Sequence, residues 1–269
     1  MIKNGVRTIT LAPLGAAFFA LAALAAEAAE PARYSLTAGM DYSSGKYGAN
    51  SDTDIWYVPV RFKYERGPST VKLTVPYLRI TAPTGGTVIG YDDDGRPIYS
   101  GGTGGRSTDE GLGDLVLAYT YSLFDKPRGG FLVDLGAKVK FATADEQKGL
   151  GSGKNDYGVF TDVYYLAGAA TPFATVGYRV LGEPAGIELR NVWQSTLGLA
   201  YRISDRDSTG AMWDWRQSSS AAGTSMSELT AYWAHKTARG LKLQAYGVAG
   251  LSDASPDYGL GLVVTVASK

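Results

Sequence analysis

The stretch that decides the fold is Phe131-Leu132-Val133-Asp134-Leu135-Gly136-Ala137-Lys138-Val139-Lys140-Phe141, followed by a glycine-rich loop and by Val159-Phe160-Thr161-Asp162-Val163-Tyr164-Tyr165. In its first half Phe131, Val133, Leu135, Ala137, Val139 and Phe141 take every second position, and Asp134, Gly136, Lys138 and Lys140 take the gaps. Successive side chains of a strand point to opposite faces, so this is a strand with one apolar and one charged face. The apolar face must meet a core or lipid, and the charged face must meet water or partner charges. The second half alternates again, with aromatic residues on both faces.

The same period runs through the rest of the chain. Tyr34, Leu36, Ala38, Met40 and Tyr42 share one face of Arg33 to Ser43, and Trp56, Val58, Val60, Phe62 and Tyr64 oppose Arg61, Lys63 and Glu65. Val71, Leu73, Val75 and Tyr77 alternate with Lys72 and Thr74, and later segments carry Arg179, Arg202, Asp214, Arg216, Glu228 and Lys242 on their polar faces. The stretch Ala82 to Gly113 is the longest without such a pattern and reads as a loop. The result is about twelve strands of roughly ten residues, the length a tilted strand needs to cross a bilayer. The connections also sort by parity. Those around Arg66 to Thr70, Asp125 to Gly130, Ala167 to Thr171, Ser204 to Ser208 and Thr237 to Gly240 are short, and most of the alternate ones are longer. Short periplasmic turns and long outer loops produce this asymmetry in an outer-membrane barrel. A soluble sandwich has no reason to sort its loops. The expected fold is therefore all-β, a transmembrane antiparallel up-and-down barrel.

Composition agrees with this class. The chain holds 35 glycines, 18 tyrosines, one histidine and no cysteine, so neither disulfides nor thiolate ligands enter. Lysine plus arginine equal aspartate plus glutamate at 26 each, and the signs are interleaved, which excludes the basic surface that nucleic acid requires. Lys3 and Arg7 precede an apolar run from Ile9 to Leu24 that ends in small residues, the pattern of a secretory signal peptide over residues 1–28, with the barrel over 29–269. Pro13 and Gly15 interrupt the run and argue against an anchor helix.

Short glycine-rich motifs carry a resemblance. At Glu110-Gly111-Leu112-Gly113-Asp114, at Lys138-Val139-Lys140-Phe141-Ala142-Thr143 leading to Gly149-Leu150-Gly151-Ser152-Gly153, and at Gly250-Leu251-Ser252-Asp253-Ala254-Ser255-Pro256-Asp257-Tyr258-Gly259, the chain resembles outer-membrane transporters of the phenol-degradation (meta-cleavage) pathway type. The resemblance implies a monomeric barrel that passes small compounds, aromatic or hydrophobic ones among them. One departure is the ending Val266-Ala267-Ser268-Lys269, where outer-membrane barrels commonly finish on an aromatic residue.

If the apolar face meets lipid, the other lines a lumen. The candidate lining or constriction residues are Arg61, Lys63, Lys72, Asp134, Lys138, Lys140, Asp162, Arg179, Arg202, Asp214, Arg216, Glu228 and Lys242. They serve either as charge ladders that hold strands together or as a polar constriction selecting by size and charge. The loop with Gly149, Gly151, Gly153, Lys154 and Asp156 falls on the extracellular side, as a surface turn or as a gate over the mouth. It fails as a phosphate cradle, because three residues separate Gly149 from Gly153 and Asn155 follows Lys154. Asp92 to Asp94 lack the alternate spacing of a calcium loop and read as a solvated turn.

No metal or cofactor is expected. The expected partners are the outer-membrane bilayer, the barrel-assembly machinery and a small solute. Two other classes stay open: a non-conducting barrel acting in adhesion or structure through its loops, and a phospholipase-like enzyme. The second would need His235, the sole histidine, as base; it lies at the opposite strand end from Ser195, the outward serine two strands away.

Overall fold

A computed structural model describes all residues except 1–30, 48, 50, 92–95, 125–129, 185–186, 222 and 269. The segment 1–28 read as a signal peptide, the acidic run Asp92 to Asp94 and the turn around Asp125 to Arg128 therefore lie outside the described residues. The strands are β1 (Arg33–Gly45), β2 (Thr53–Arg66), β3 (Ser69–Pro83), β4 (Thr87–Tyr91), β5 (Pro97–Ser100), β6 (Arg106–Leu112), β7 (Leu115–Ser122) and β8 (Phe131–Phe141). They continue as β9 (Asp156–Tyr165), β10 (Ala170–Val180), β11 (Val192–Arg202), β12 (Asp207–Arg216), β13 (Met226–Lys236), β14 (Lys242–Gly250) and β15 (Tyr258–Ala267).

Neighbouring wall strands pair antiparallel in chain order, and β1 pairs with both β2 and β15, which closes the sheet on itself. The large sheet has thirteen strands, but β6 and β7 both lie along β3, β6 on its outer half and β7 on its inner half. Counted as one, they leave twelve wall positions. Closure leaves the wall strands other than β6, which pairs with β3 alone, without a free edge, the condition for strands in hydrocarbon.

Alternation decides which face meets which medium. Leu36, Met40, Val60, Phe62, Leu197, Leu229, Leu260, Leu262 and Val264 are exposed, and all lie on the outward register. A continuous exposed apolar belt on this scale belongs in lipid. Aromatic pairs mark its two borders. Tyr34 with Tyr64 (5.2 Å between ring centroids) and Phe131 with Tyr165 (4.8 Å) sit beside the short turns; Tyr42 with Trp56 and Tyr178 with Trp193 (both 4.9 Å) sit at the other end. Amphipathic rings favour the headgroup level, so these are the interfacial girdles, and the end with the short turns is periplasmic.

The glycine excess has a packing reason. Gly136, Gly198, Gly210 and Gly261 stand directly across strand pairs from Phe160, Phe173, Tyr232 and Tyr246. A Cβ at any of the four would run into the opposing ring. The aromatic rings therefore lie flat along the inner wall over backbone that only glycine leaves bare.

The stretch from Ala82 to Gly113 is not an irregular loop. β3 runs on to Pro83, β6 pairs with its outer half, and β4 and β5 form a separate hairpin.

Candidate functional site

The outer half of β2 and β3 is apolar on its inner face as well as its outer one. Ile55, Tyr57, Leu78, Ile80 and Ala82 point inward and are all buried, while Trp56 and Tyr77 point to lipid. An apolar patch facing a water-filled lumen is unfavourable at about 25 cal/mol per Å², so another segment must cover it. The β4–β5 hairpin does so. Val88, Tyr91 and Tyr99 join that inner patch in one buried cluster, together with Leu150 from the loop 142–155, and Val88 and Leu150 are wholly buried.

Polar contacts then tie the hairpin across the lumen. The Asp114 amide donates to the Tyr91 hydroxyl at 2.9 Å, the Arg179 guanidinium donates to the Tyr91 carbonyl, and Arg96 reaches Glu228 on β13 at 3.0 Å. Burial holds the Tyr91 phenol well above its ordinary pKa, so it stays neutral. Gly113 makes the approach possible: a Cβ there would collide with the Tyr91 hydroxyl and come within 3.0 Å of the Leu78 and Pro76 side chains. Gly113 and Asp114 also form the break between β6 and β7, where the inward register changes from odd to even residues: Gly111 and Asp109 face in before it, and Asp114 and Val116 after it. The motif Glu110 to Asp114 is thus a wall bulge that aims one carboxylate inward.

That carboxylate anchors a buried ionic cluster. Lys140 Nζ donates to Asp114 at 2.9 Å and to Ser152 Oγ at 2.8 Å, and lies 3.3 Å from Asp156. Asp114 also accepts the amides of Thr143 (3.0 Å) and Ala144 (2.9 Å), and Asp156 accepts the amide of Gly182 at 2.9 Å. Lys140, Asp114, Ser152 and Asp156 are all buried. Such a cluster survives burial because each charge has several partners.

The glycine-rich loop is folded inward over this cluster. The Val88 amide donates to the Gly149 carbonyl at 3.0 Å, and Thr87 Oγ1 donates to the Gly151 carbonyl at 3.2 Å. Gly149 has φ +68° and would place a Cβ 2.6 Å from the Gly86 carbonyl oxygen. A Cβ on Gly151 would lie 2.9 Å from the Asp114 carboxylate, and one on Gly153 would strike Glu146. Lys154 has an exposed side chain and touches the cluster only through its backbone, whose amide donates to Ser152 Oγ at 3.4 Å, whereas Asp156 is the first residue of β9 and belongs to it.

The structure divides the proposed lining residues into two sets. Lys140, Arg179, Asp214, Arg216 and Glu228 occupy the outer half, are all buried or half-buried, and flank the hairpin. Thr196 donates to Asp214 at 2.6 Å and Arg179 to Gln194 at 2.8 Å, so much of this set is fixed in place. Arg61, Lys63, Lys72, Asp134, Asp162, Arg202 and Lys242 occupy the periplasmic half and keep part of their surface exposed, while Lys138, half-buried, lines the gap beside Tyr91 and Lys140. Periodicity located both sets. It did not single out Ile55, Tyr57, Leu78, Val88, Tyr91, Arg96 or Asp114, which position the hairpin, although the unbroken apolar run Ile55 to Val60 is a signal that both faces are covered.

Cavities follow from this division. Outside the hairpin lies a pocket of about 510 Å³, with Ile80, Ala82, Tyr99 and Ile187 as apolar lining and Asp109, Glu146 and Lys148 among its polar lining. Beside Tyr91, Lys140, Asp156 and Arg179 there is a gap of about 20 Å³, the room of roughly one water. At the periplasmic end a pocket of about 440 Å³ is lined by Arg202, Ser208, Lys236, Lys242 and Thr265, among others.

Ser195 and His235 are far apart. Ser195 pairs with Trp215 near the outer end of its strand, and His235 pairs with Asp207 near the periplasmic turn, its Nδ1 2.9 Å from the carboxylate and its ring stacked on Trp233. Ser204 donates to Asp207, not to the imidazole.

No family model and no curated protein matches the chain. Solved structures do. The chain is similar to the COG4313 outer membrane channel from Pseudomonas putida F1, at 12% identity and a TM-score of 0.62, over 91% of this chain and 98% of that one. It is also similar to the NanC porin, at 8% identity and a TM-score of 0.55, over 87% of this chain and 98% of that one. The likeness shows the fold, and the closed sheet with its lipid-facing belt and girdles makes this chain a twelve-position outer-membrane β-barrel.

Proposed function

We propose that the protein is an outer-membrane channel for passive diffusion of small solutes, narrowed on its outer side by the β4–β5 hairpin and the loop 142–155. The observation that carries this reading is the contrast between the two halves of the lumen. Inward side chains of the outer half are packed to burial, while inward charges of the periplasmic half stay partly in water. A barrel that served only as a membrane anchor would have no reason to keep half its interior solvated. The COG4313 channel, which shares the fold, supports the same reading.

The outer pocket suits solutes with an apolar body and a polar edge, since Tyr99, Ile80 and Ile187 share it with Asp109 and Lys148. That agrees with the aromatic or hydrophobic compounds implied by the likeness to phenol-pathway transporters. Strands β4 and β5 and the loop 142–155 fold into the mouth, which speaks against adhesion through projecting loops. The separation of Ser195 from His235 speaks against hydrolysis. The barrel acts as a monomer, is inserted by the barrel-assembly machinery, and needs no cofactor. Purified protein in liposomes tests the function: release of entrapped small aromatic compounds above the protein-free rate is expected, and identical rates with and without protein would refute it.

A further inference from the structure

The periplasmic half of the lumen is asymmetric in charge. Two lysine pairs stand directly across strand pairs with both members inward: Lys236 opposite Lys242 on β13 and β14, and Lys63 opposite Lys72 on β2 and β3. Arg202 on β11 and Arg61 on β2 belong to the same arc. Among the described residues on the inward register of this arc, the carboxylates are Glu65, which Lys63 holds at 2.9 Å, and, nearer the outer half, the buried Asp41 of β1, which accepts the Tyr246 hydroxyl at 2.6 Å. Like charges directly opposite each other destabilise a strand pair, so the fold bears this arrangement at a cost. Lys236, Lys242 and Arg202 are exposed and line the pocket of about 440 Å³; Asp205 and Asp207 also reach its edge, but Asp207 is taken up by His235 and Ser204. The opposing wall carries Asp134 across from Asp162, with Lys138 on the same face and Thr175 donating to Asp162 at 2.6 Å.

Above the lysine pair of β13 and β14 stand Tyr232 and Tyr246, also directly opposite each other. They lie four residues away along both strands, about 13 Å at the rise of a strand. Each ring rests over a glycine, Gly210 and Gly261, which leaves its other face toward the lumen. A planar apolar ring meets a stacking surface there, and an anionic group meets the cations farther down.

We propose that this half of the lumen selects anions and that the favoured solutes are small aromatic carboxylates. The inference rests on the channel reading above. A lumen potential of about one kT, modest for a charged cleft, enriches monovalent anions over cations by about sevenfold. In planar bilayers under a potassium chloride gradient, the reversal potential should report chloride as the more permeant ion by about that ratio. The double variant Lys236→Glu/Lys242→Glu should bring the ratio to one or below, and Lys63→Glu/Lys72→Glu provides a second test should the first not fold. Benzoate should then permeate at least about twofold faster than cyclohexanecarboxylate, which has the same charge without a π-face. Discrete conductance steps with potassium preferred would overturn the inference and leave the channel standing. A silent bilayer would overturn both. Equal rates for the two carboxylates would overturn the aromatic preference.

Discussion

Replacing Lys140 with methionine tests the docking of the hairpin most sharply. The aliphatic stem is kept, and the charge that joins Asp114 to Asp156 is lost. Removing one partner from a buried ion pair typically costs about 3–5 kcal/mol. Here Asp114 retains the amides of Thr143 and Ala144, and Asp156 retains that of Gly182, so the lower figure of about 3 kcal/mol applies. The backbone ladders between β7, β8 and β9 do not depend on the lysine side chain. The loss therefore falls on the loop 142–155 and on the hairpin hydrogen-bonded to it. At about 1.4 kcal/mol per tenfold, the undocked fraction should rise by about a hundredfold. Tyr91 and Tyr99 are buried at 4% and 7% exposure, so chymotrypsin added outside reconstituted vesicles cuts there only after undocking. The variant should be cut about a hundred times faster while its barrel keeps its heat-modifiable gel mobility. Lys140→Met/Asp156→Asn should recover part of the loss, because the pair is coupled. Unchanged cleavage in Lys140→Met would refute the view that this cluster holds the mouth closed.

Other substitutions separate the parts of the account. Gly113→Ala forces the Tyr91 hydroxyl away, at about 1–3 kcal/mol of overpacking, and should raise single-channel conductance while the barrel still assembles and keeps its heat-modifiable gel mobility. Leu150→Ala opens a cavity in the buried cluster, at about 2–5 kcal/mol, and should increase proteolysis of the hairpin; protection equal to wild type would show that Leu150 does not hold it. Leu262→Arg places a charge on the lipid belt and should lower the unfolding free energy in bilayers by about 2–4 kcal/mol, while Val263→Arg, on the lumen side of the same strand, should cost clearly less. Equal costs would contradict the assigned faces.

Much of the wall was legible because a strand between lipid and water must alternate, and Phe131 to Tyr165 does so residue by residue. Loop parity oriented it, since periplasmic turns stay short. The hairpin was harder to see. Thr87 to Tyr91 and Pro97 to Ser100 are too short to stand out, although Asp94-Gly95 between them is a turn signal. Its docking surface shows in Leu78, Ile80 and Ala82 only once the inward register of β3 is known. The ionic cluster joins Asp114, Lys140 and Asp156 from three different strands or their borders, and no local pattern reports such a meeting. The inward charges were found by period alone, yet their division into a packed outer set and a solvated periplasmic set required the hairpin.

On the proposed function this barrel conducts and the inserted hairpin sets how much. This is tested most directly by single-channel recording of the intact protein beside a variant in which residues 85–104 are replaced by a short glycine-serine turn. Discrete steps are predicted for the intact protein, and steps several times larger for the variant. Silence from both, or steps of the same size from both, would contradict the account.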